Sequence, residues 1–470
     1  MARPKFVQIP SHPIERFKPL LGDEYPRVEA AAERARRQLE GQAIWHVSST
    51  LRGGGVAEML HSLLPYVRGA GLDTRWLVLR ERPEFFALTK RLHNNLHCQP
   101  GDGGGLGEEE RELYEETLAE SGRRLTPLLR EGDVVFLHDP QTAGLVPAAK
   151  AAGATVIWRC HIGTDHPDDT ARAAWGFLLP YLRDADVYVF SRREYVWDGL
   201  DSDRVRIMAP SIDPFSPKNQ DLDPETVTAI LRAIGISDGA PPATPSFTRA
   251  DGTPGRVERD GEVIQEQHLP RAATAVLQVS RWDRLKDHRG LLECFEIHLA
   301  DSELHLVLAG PETAAVADDP EGAAVWEEIK ASRKNLPEQL RRRVHLVSLP
   351  MFDLEENAAM VNALQRRADV IVQKSIAEGF GLTVAEAMWK GKPVIGSRVG
   401  GIQDQIVDGV SGVLVDPHDL GGVAAAIVSV CGDPRRAAQL GEQARRRVGE
   451  RFLAATRLAE YVKLVGALSR

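Results

Sequence analysis

Between Ala368 and Gly401 the chain reads ADVIVQKSIAEGFGLTVAEAMWKGKPVIGSRVGG, and this stretch constrains the fold more than any other. Asp369 to Gln373 is short, apolar and β-branched, as a strand buried on both faces must be. A loop with two glycines follows, Glu378-Gly379-Phe380-Gly381, then a helix from about Thr383 to near Gly391 and a second buried strand from Pro393 to Ile395. Strand, Gly-containing loop and helix start together build an anion site. The free N–H groups of the first helical turn point at the ligand, and glycine lets the backbone come close. Two carboxylates, Glu378 and Glu386, flank this turn. Acceptor-only groups beside an anion site suit a ligand with both phosphates and hydroxyls, such as a nucleotide sugar. A second reading stays open for Glu386: Thr383 followed three residues later by Glu386 also spells a capping box, in which Glu386 only satisfies the helix start. Glu378, in the loop before the helix, has no such structural duty, although a surface carboxylate in a loop is ordinary.

The same alternation runs through the whole chain. Residues 1–40 are polar and partly helical, with a helix expected at Ala30 to Leu39, and Ile44 to Ser48 is a strand leading into Gly53-Gly54-Gly55. Val56, Met59, Leu60, Leu63, Leu64 and Val67 form a helical stripe, and Trp76 to Leu79 is the next strand, which completes a βαβ unit with a Gly-rich first turn. The dinucleotide fingerprint fails here, because Gly53 and Gly55 lead to Glu58. Three successive glycines still require a close approach to the backbone or a positive φ, and Gly54 and Gly55 are the candidates for contact with a nucleotide ligand. Further strands are expected at Val134–Leu137, Thr155–Cys160, Tyr188–Phe190 and Arg206–Met208, and the acidic run Gly107 to Glu120 reads as a solvated helix face. After a helix over Asp223 to Ile234, residues 236–273 break the pattern and read as a long ordered loop or insert. A second series of strands then follows, at Val276–Val279, Leu304–Ala309, Val344–Val347, Val370–Gln373, Val394–Ile395 and Val413–Val415, and the last segment, Leu453 to Leu468, is an amphipathic helix. The expected fold class is α/β, with two parallel, doubly covered sheets in one chain and a ligand cleft between the two domains.

A chain of 470 residues has room for two large cores. Its net charge of −9 argues against general nucleic-acid binding, which needs a basic face. Cys98, Cys160, Cys294 and Cys431 are scattered without metal-type spacing and read as reduced thiols of a cytoplasmic protein. The N-terminus lacks the apolar core of a secretory signal, and the most apolar window, Val423 to Cys431, is too short to span a bilayer.

Two further clusters carry chemistry. At the end of the strand Val276–Val279 lies Ser280-Arg281-Trp282-Asp283-Arg284-Leu285-Lys286-Asp287, with Arg281 and Lys286 across a strand-to-helix turn. In the first half, Arg159-Cys160-His161-Ile162-Gly163-Thr164-Asp165 follows another buried strand. Taken alone, the first is a solvated basic loop and His161 a structural histidine.

The segment Glu378-G-F-G-L-T-V-A-Glu386 resembles the E-x7-E element of retaining glycosyltransferases of the GT4 type, with the following Gly-Lys-Pro-Val-Ile matching as well. That resemblance implies the GT-B architecture, two Rossmann-like domains facing a central cleft. The domains expected are 1–215, binding the acceptor and joined by the C-terminal helix 453–470, and 216–452, binding the nucleotide sugar. It further implies that Glu378 contacts the donor sugar, and that the backbone of Gly379, Phe380, Gly381, Leu382 and Thr383 contacts sugar and diphosphate. Glu386 then holds the ribose hydroxyls, Arg281 and Lys286 bind the diphosphate, and His161 lies beside the reacting sugar. The resemblance narrows at W-H-V-S-S-T…G-G-G-V-A-E-M-L (Trp45 to Leu60), T-K-x-x-H-N (Thr89 to Asn94), H-D-P-Q-T (His138 to Thr142) and W-R-C-H-I-G-T-D (Trp158 to Asp165) to the trehalose glycosyltransferring synthases, over nearly the whole chain. That family condenses NDP-glucose with free glucose to α,α-trehalose with retention.

On this reading the acceptor meets His93, Asn94, Asp139, Gln141 and Asp165, each of which alone could be a turn or cap residue. No tightly bound cofactor and no protein-held metal are expected. NDP-glucose is the co-substrate, Mg²⁺ stimulates only through the free nucleotide, and the partners are glucose, trehalose and a second copy in a homodimer, with no nucleic acid and no membrane. Rival readings are a retaining trehalose phosphorylase, a noncatalytic nucleotide-sugar-binding protein and, more remotely, an epimerase of the same architecture.

Overall fold

The computed structural model describes residues 5–51, 55–239, 243–313 and 321–468. The chain divides into two compact units, Met1–Ser211 with Ala454–Arg470, and Ile212–Leu453. Gly53 and Gly54 lie outside the described residues, and Gly55 opens the helix Gly55–Gly69.

In the first unit seven strands form one sheet: β1 (Lys5–Val7), β2 (Ile44–Ser48), β3 (Thr74–Val78), β4 (Val134–His138), β5 (Thr155–Cys160), β6 (Val187–Phe190) and β7 (Val205–Ile207). Their order is β1-β3-β2-β4-β5-β6-β7. All neighbours are parallel except β1, which pairs antiparallel with β3. Strands β2 and β4 are buried at every position, which is why they read as unbroken apolar runs rather than alternating ones. Trp45, Val47, Leu137, Trp158 and Phe190 fill the core on one side. The helix Ala454–Leu468 packs against the helices Tyr25–Gln38 and Gly55–Gly69 of this unit.

The second unit contains β8 (Ser246–Thr248), β9 (Pro254–Arg256), β10 (Glu262–Ile264), β11 (Ala275–Val279), β12 (His305–Pro311), β13 (Val344–Leu349), β14 (Val370–Gln373), β15 (Val394–Ser397) and β16 (Val413–Val415). The large sheet runs β10-β13-β12-β11-β14-β15-β16, parallel except for β10. Strand order reverses at β11: β12 and β13 extend to one side, β14 to β16 to the other. The connections leaving the carboxyl ends of β11 and β14 therefore run to opposite sides of the sheet, and the ends of such a strand pair are where ligands of such folds bind.

Residues 236–273 are not the long loop expected from composition. Strands β8 and β9 form an antiparallel hairpin, and β10 pairs antiparallel with β13 as an edge of the large sheet. Strands of three residues are too short to display an alternating period, so nothing in the sequence announces them. The hairpin is fastened to the first turn of the helix Leu354–Arg367. Arg249 pairs with Asp353 at 2.7 Å and Glu355 at 2.9 Å, while Glu356 accepts from the Glu258 and Arg259 amides at 2.6 and 2.7 Å and from the Arg259 side chain. Glu356 is only 2% exposed. Removing it strands two amides and a guanidinium that were ordered around a buried carboxylate. Glu356→Ala should cost about 1.5–3 kcal/mol, the range for hydrogen bonds to a charged group. It should appear as a lower denaturant midpoint with faster proteolysis within 243–260; a loss below about 0.5 kcal/mol would show the hairpin is held otherwise.

Candidate active site

In the second unit the site is built on β11 and β14, parallel neighbours whose carboxyl ends carry the loops Ser280–Asp287 and Lys374–Gly381. A single buried amide ties them: Gln278 donates from Nε2 to the Lys286 carbonyl at 2.7 Å and accepts through Oε1 from the Lys374 amide at 3.0 Å. The Ile376 amide adds a bond to the Leu285 carbonyl at 2.8 Å. Two ion pairs then cross the same gap, Lys286 Nζ to Glu378 Oε2 at 2.6 Å and Lys374 to Asp287. Asp287 adopts φ +49, a left-handed conformation that costs energy for a residue with a Cβ. It is held there because its carboxylate both caps the helix His288–His298, accepting from the Gly290 amide at 2.9 Å, and receives the buried Lys374 ammonium. Arg281 is half-buried, with its guanidinium at the long distance of 3.9 Å from Asp283.

Gly381 precedes the helix Leu382–Trp389 with φ +84, and a Cβ there would meet Glu378 Cγ at 3.2 Å. The carbonyls of Phe380 and Gly381 are both taken by Gln405 Nε2, which fixes the turn ahead of the helix start. The helix begins at Leu382 with Gly381 as its cap, and no side chain caps it. That overturns the capping-box reading of Glu386. Thr383 donates to the Gln373 side chain at 2.9 Å instead, and Glu386, one turn inside the helix, is buried with Lys218 Nζ at 3.6 Å. Sequence pattern could not distinguish these readings, since moving the cap from Thr383 to Gly381 is enough to remove the box.

Beneath Glu386 lies Lys390, whose ammonium donates to Asn219 Oδ1 at 3.1 Å and to the Glu386 carbonyl at 3.2 Å. Neither Lys218, Asn219 nor Lys390 stands out in the sequence. The only hint is a cation in the rigid stretch Asp213-Pro214-Phe215-Ser216-Pro217-Lys218. Asn362 locks this stretch by donating to the carbonyls of Pro217 and Gln220 at 3.0 and 2.9 Å.

In the first unit, β4 ends in His138 and is followed by Asp139 with φ +62. The strained turn aims the Asp139 carboxylate at the amide of His161, which it accepts at 2.7 Å. The Asp139 carbonyl meanwhile accepts from the Trp158 indole at 3.1 Å. Burial pushes the Asp139 carboxyl up to about 7, against the opposing pull of the His161 amide and Arg159. The His161 imidazole, Nε2 3.3 Å from His138 Nδ1, is driven well below the usual histidine range by burial and then by Arg159.

Of the other acceptor candidates, Asp165 is ion-paired to the buried Arg192 at 2.6 Å, and His93 and Asn94 close the helix Pro83–Leu96. Asn94 Oδ1 and Gln141 Oε1 are buried without a hydrogen-bond partner among the described residues. Among the same residues there is no cluster of three or more His, Cys, Asp or Glu side chains suited to a metal ion, and no helix long and apolar enough to cross a membrane.

Lys390 gives this cluster a pH signature. Burial, opposed chiefly by Glu386, lowers its ammonium from the ordinary 10.5 to about 7. The unfolded chain keeps that proton up to about pH 10.5, the folded chain only to about 7, so between these values unfolding takes up a proton and stability rises with pH. Lys390→Met should abolish that rise when unfolding free energy is followed by denaturant titration from pH 7 to 10. An identical slope in both proteins would mean that Lys390 stays charged in the folded state.

Residues 46–197 match the family model "Trehalose synthase, N-terminal domain", and residues 261–447 match "Glycosyl transferases group 1". The chain is 35% identical to the trehalose synthase of Pyrococcus horikoshii over 97% of this chain and 96% of that one. It is 27% identical to the trehalose phosphorylase of Pleurotus pulmonarius, over 90% of this chain but 57% of that protein. Among solved structures, trehalose-6-phosphate synthase, OtsA, superposes with a TM-score of 0.67 at 12% identity, covering 90% of this chain and 99% of that one; at that identity the likeness speaks for the GT-B fold alone. Similarity this extensive, spread over both units, makes the chain a member of the trehalose synthase family of glycosyltransferases.

Proposed function

We propose that this protein is a retaining glycosyltransferase that forms α,α-trehalose from a nucleoside diphosphate glucose, ADP- or UDP-linked, and free glucose. The observation that carries the reading is the pairing of Lys286 with Glu378 at 2.6 Å beyond the carboxyl ends of β11 and β14, where the strand order reverses. A cation for phosphate and a carboxylate for hydroxyls stand side by side, next to the uncapped start of the helix Leu382–Trp389.

In this reading the two cations, Arg281 and Lys286, take the diphosphate together with the backbone from Gly379 to Thr383. Glu378 turns to the donor sugar, and Glu386, buried beside Lys218, holds the ribose hydroxyls. His161 contacts the 6-hydroxyl of the donor sugar. Negative charge grows on the leaving phosphate as the glycosidic bond breaks, so fixed cations stabilise the transition state more than the ground state. With no carboxylate serving as nucleophile, the incoming hydroxyl attacks from the face the phosphate leaves, and that phosphate helps to deprotonate it. Among the acceptor candidates, Asn94 and Gln141 fit best, since their buried amide oxygens await a donor. Asp139 and Asp165 already hold the His161 amide and Arg192, so their part is to shape that surface. Mg²⁺ acts on the free nucleotide.

The phosphorylase reading has one support, the 27% identity to a trehalose phosphorylase, and one experiment separates the two. Incubation with glucose and each NDP-glucose should give a disaccharide with two α-anomeric couplings by NMR, and trehalose cleavage should need NDP rather than inorganic phosphate. Phosphate-dependent cleavage without nucleotide would establish the phosphorylase instead, and an α,β-linked product would exclude retention.

A further inference from the structure

A row of hydrogen-bonded rings runs through the first unit from the C-terminal helix to His161. The Tyr461 hydroxyl lies 2.8 Å from His46 Nε2, His46 Nδ1 is 3.0 Å from His138 Nε2, and His138 Nδ1 is 3.3 Å from His161 Nε2. The rings also lie nearly parallel: His46 packs against the face of Phe136 at 4.6 Å between centroids, and His138 and His161 meet edge to edge with centroids 5.5 Å apart. Tyr461, His46 and His138 are each at most 1% exposed, while His161 at the end of the row is half-buried. Burial and the nearby Arg159 guanidinium keep the three imidazoles below the usual histidine range, and burial keeps the Tyr461 phenol protonated. Each imidazole is therefore neutral, with one N–H and one lone pair.

Neutral rings in a row can be protonated in only two consistent ways, because every link needs one donor and one acceptor. If the protons point toward Tyr461, His46 Nε2 donates to the phenol oxygen, and the phenol hydrogen is left over. Tyr461 has no other hydrogen-bond partner among the described residues, so a fully buried O–H would go unbonded, which forfeits its hydration without return. If the protons point away from it, Tyr461 donates to His46 Nε2, His46 Nδ1 to His138 Nε2, and His138 Nδ1 to His161 Nε2. Every buried hydrogen is then used. The second arrangement leaves one place for the His161 proton.

We propose that Tyr461 sets the tautomer of His161: relayed through His46 and His138, its hydroxyl donor confines the His161 proton to Nδ1, so that this imidazole offers its remaining nitrogen as an N–H donor to a ligand oxygen. The preferred partner is thus an acceptor such as a sugar hydroxyl oxygen, and a ligand presenting only an N–H or O–H donor at that point is disfavoured. Tyr461, His46 and His138 are positioning residues acting through His161. The consequence for turnover rests on the proposed contact of His161 with the donor sugar, whereas the tautomer itself does not.

The test is a two-bond ¹H–¹⁵N correlation spectrum of the full-length, ligand-free protein with ¹⁵N-labelled histidine, the His161 pattern being assigned by its loss in His161→Asn. Expected is a pyrrole-type Nδ1 and pyridine-type Nε2 for His161, His46 and His138 alike; a pyrrole-type Nε2 on His161 would overturn the proposal. In Tyr461→Phe the donor is gone and the two proton arrangements approach each other in energy. The His161 signals should then shift toward a mixture, and kcat should fall about two- to tenfold as the competent tautomer is diluted, with a smaller change in KM. An unchanged Nδ1–H tautomer in that variant would remove Tyr461 from the account. The wild-type spectrum decides the tautomer even if the variant folds poorly. Because it is recorded without substrate, it stays informative if no trehalose synthesis is found, and a failed spectrum leaves the proposed reaction untouched.

Discussion

Lys286 and Glu378 face each other at 2.6 Å across the point where the second sheet reverses its strand order, and the surrounding structure holds these two loops in register. Two opposite charges left half-buried on separate loops would swing toward water if their backbones were free, since a solvated pair gains little from meeting. Here neither backbone is free. Gln278 grips both loops through one amide, the Ile376 amide adds a second tie, and Lys374 with Asp287 forms a parallel ion pair behind the first. The left-handed Asp287 is the cost of that arrangement, offset by its helix cap and its lysine. Such support holds a ligand-free site near one geometry, as stabilisation of a developing charge requires.

The first unit solves the same problem by different means. Instead of paired charges it uses a strained turn at Asp139, whose carboxylate fixes the His161 backbone, and a hydrogen-bonded row of neutral rings that fixes the imidazole. Charge is kept out: Arg159 is fully buried beside the row and, with desolvation, discourages protonation of each histidine. The C-terminal helix belongs to this design, since it returns to the first unit and brings Tyr461 to the start of the row.

What the sequence could disclose follows from which interactions are local. Central parallel strands such as Val134–His138 and Val370–Gln373 are buried on both faces, so they read as apolar β-branched runs and are legible within a residue or two. Gly379 and Gly381 around Phe380 likewise mark a backbone turn whose reason is local. The edge strands Lys5–Val7 and Glu262–Ile264 are three residues long, each with one charged and two apolar residues, and carry no period to find. Glu378, Lys286 and Arg281 could be named as candidates from the family resemblance, but the ties around them could not: Gln278 meets Lys374 across 96 positions and His46 meets Tyr461 across 415. A buried glutamine or tyrosine in a strand or helix looks, in sequence, like any other core residue. Glu386 shows the opposite failure, where a local pattern suggested a cap that the actual helix start at Leu382 does not use.

If, as proposed, Lys286 and Glu378 act as one unit on a nucleotide-sugar substrate, a double-mutant cycle shows it directly. Lys286→Ala, Glu378→Gln and the double variant would be compared by kcat/KM with NDP-glucose and glucose. Loss of one preorganised charge of this kind costs about 10²–10³ in rate. The account predicts a drop of that order for Lys286→Ala, and a double variant that loses far less than the product of the two single losses. Single variants with near-normal turnover, or losses that simply multiply, would contradict it.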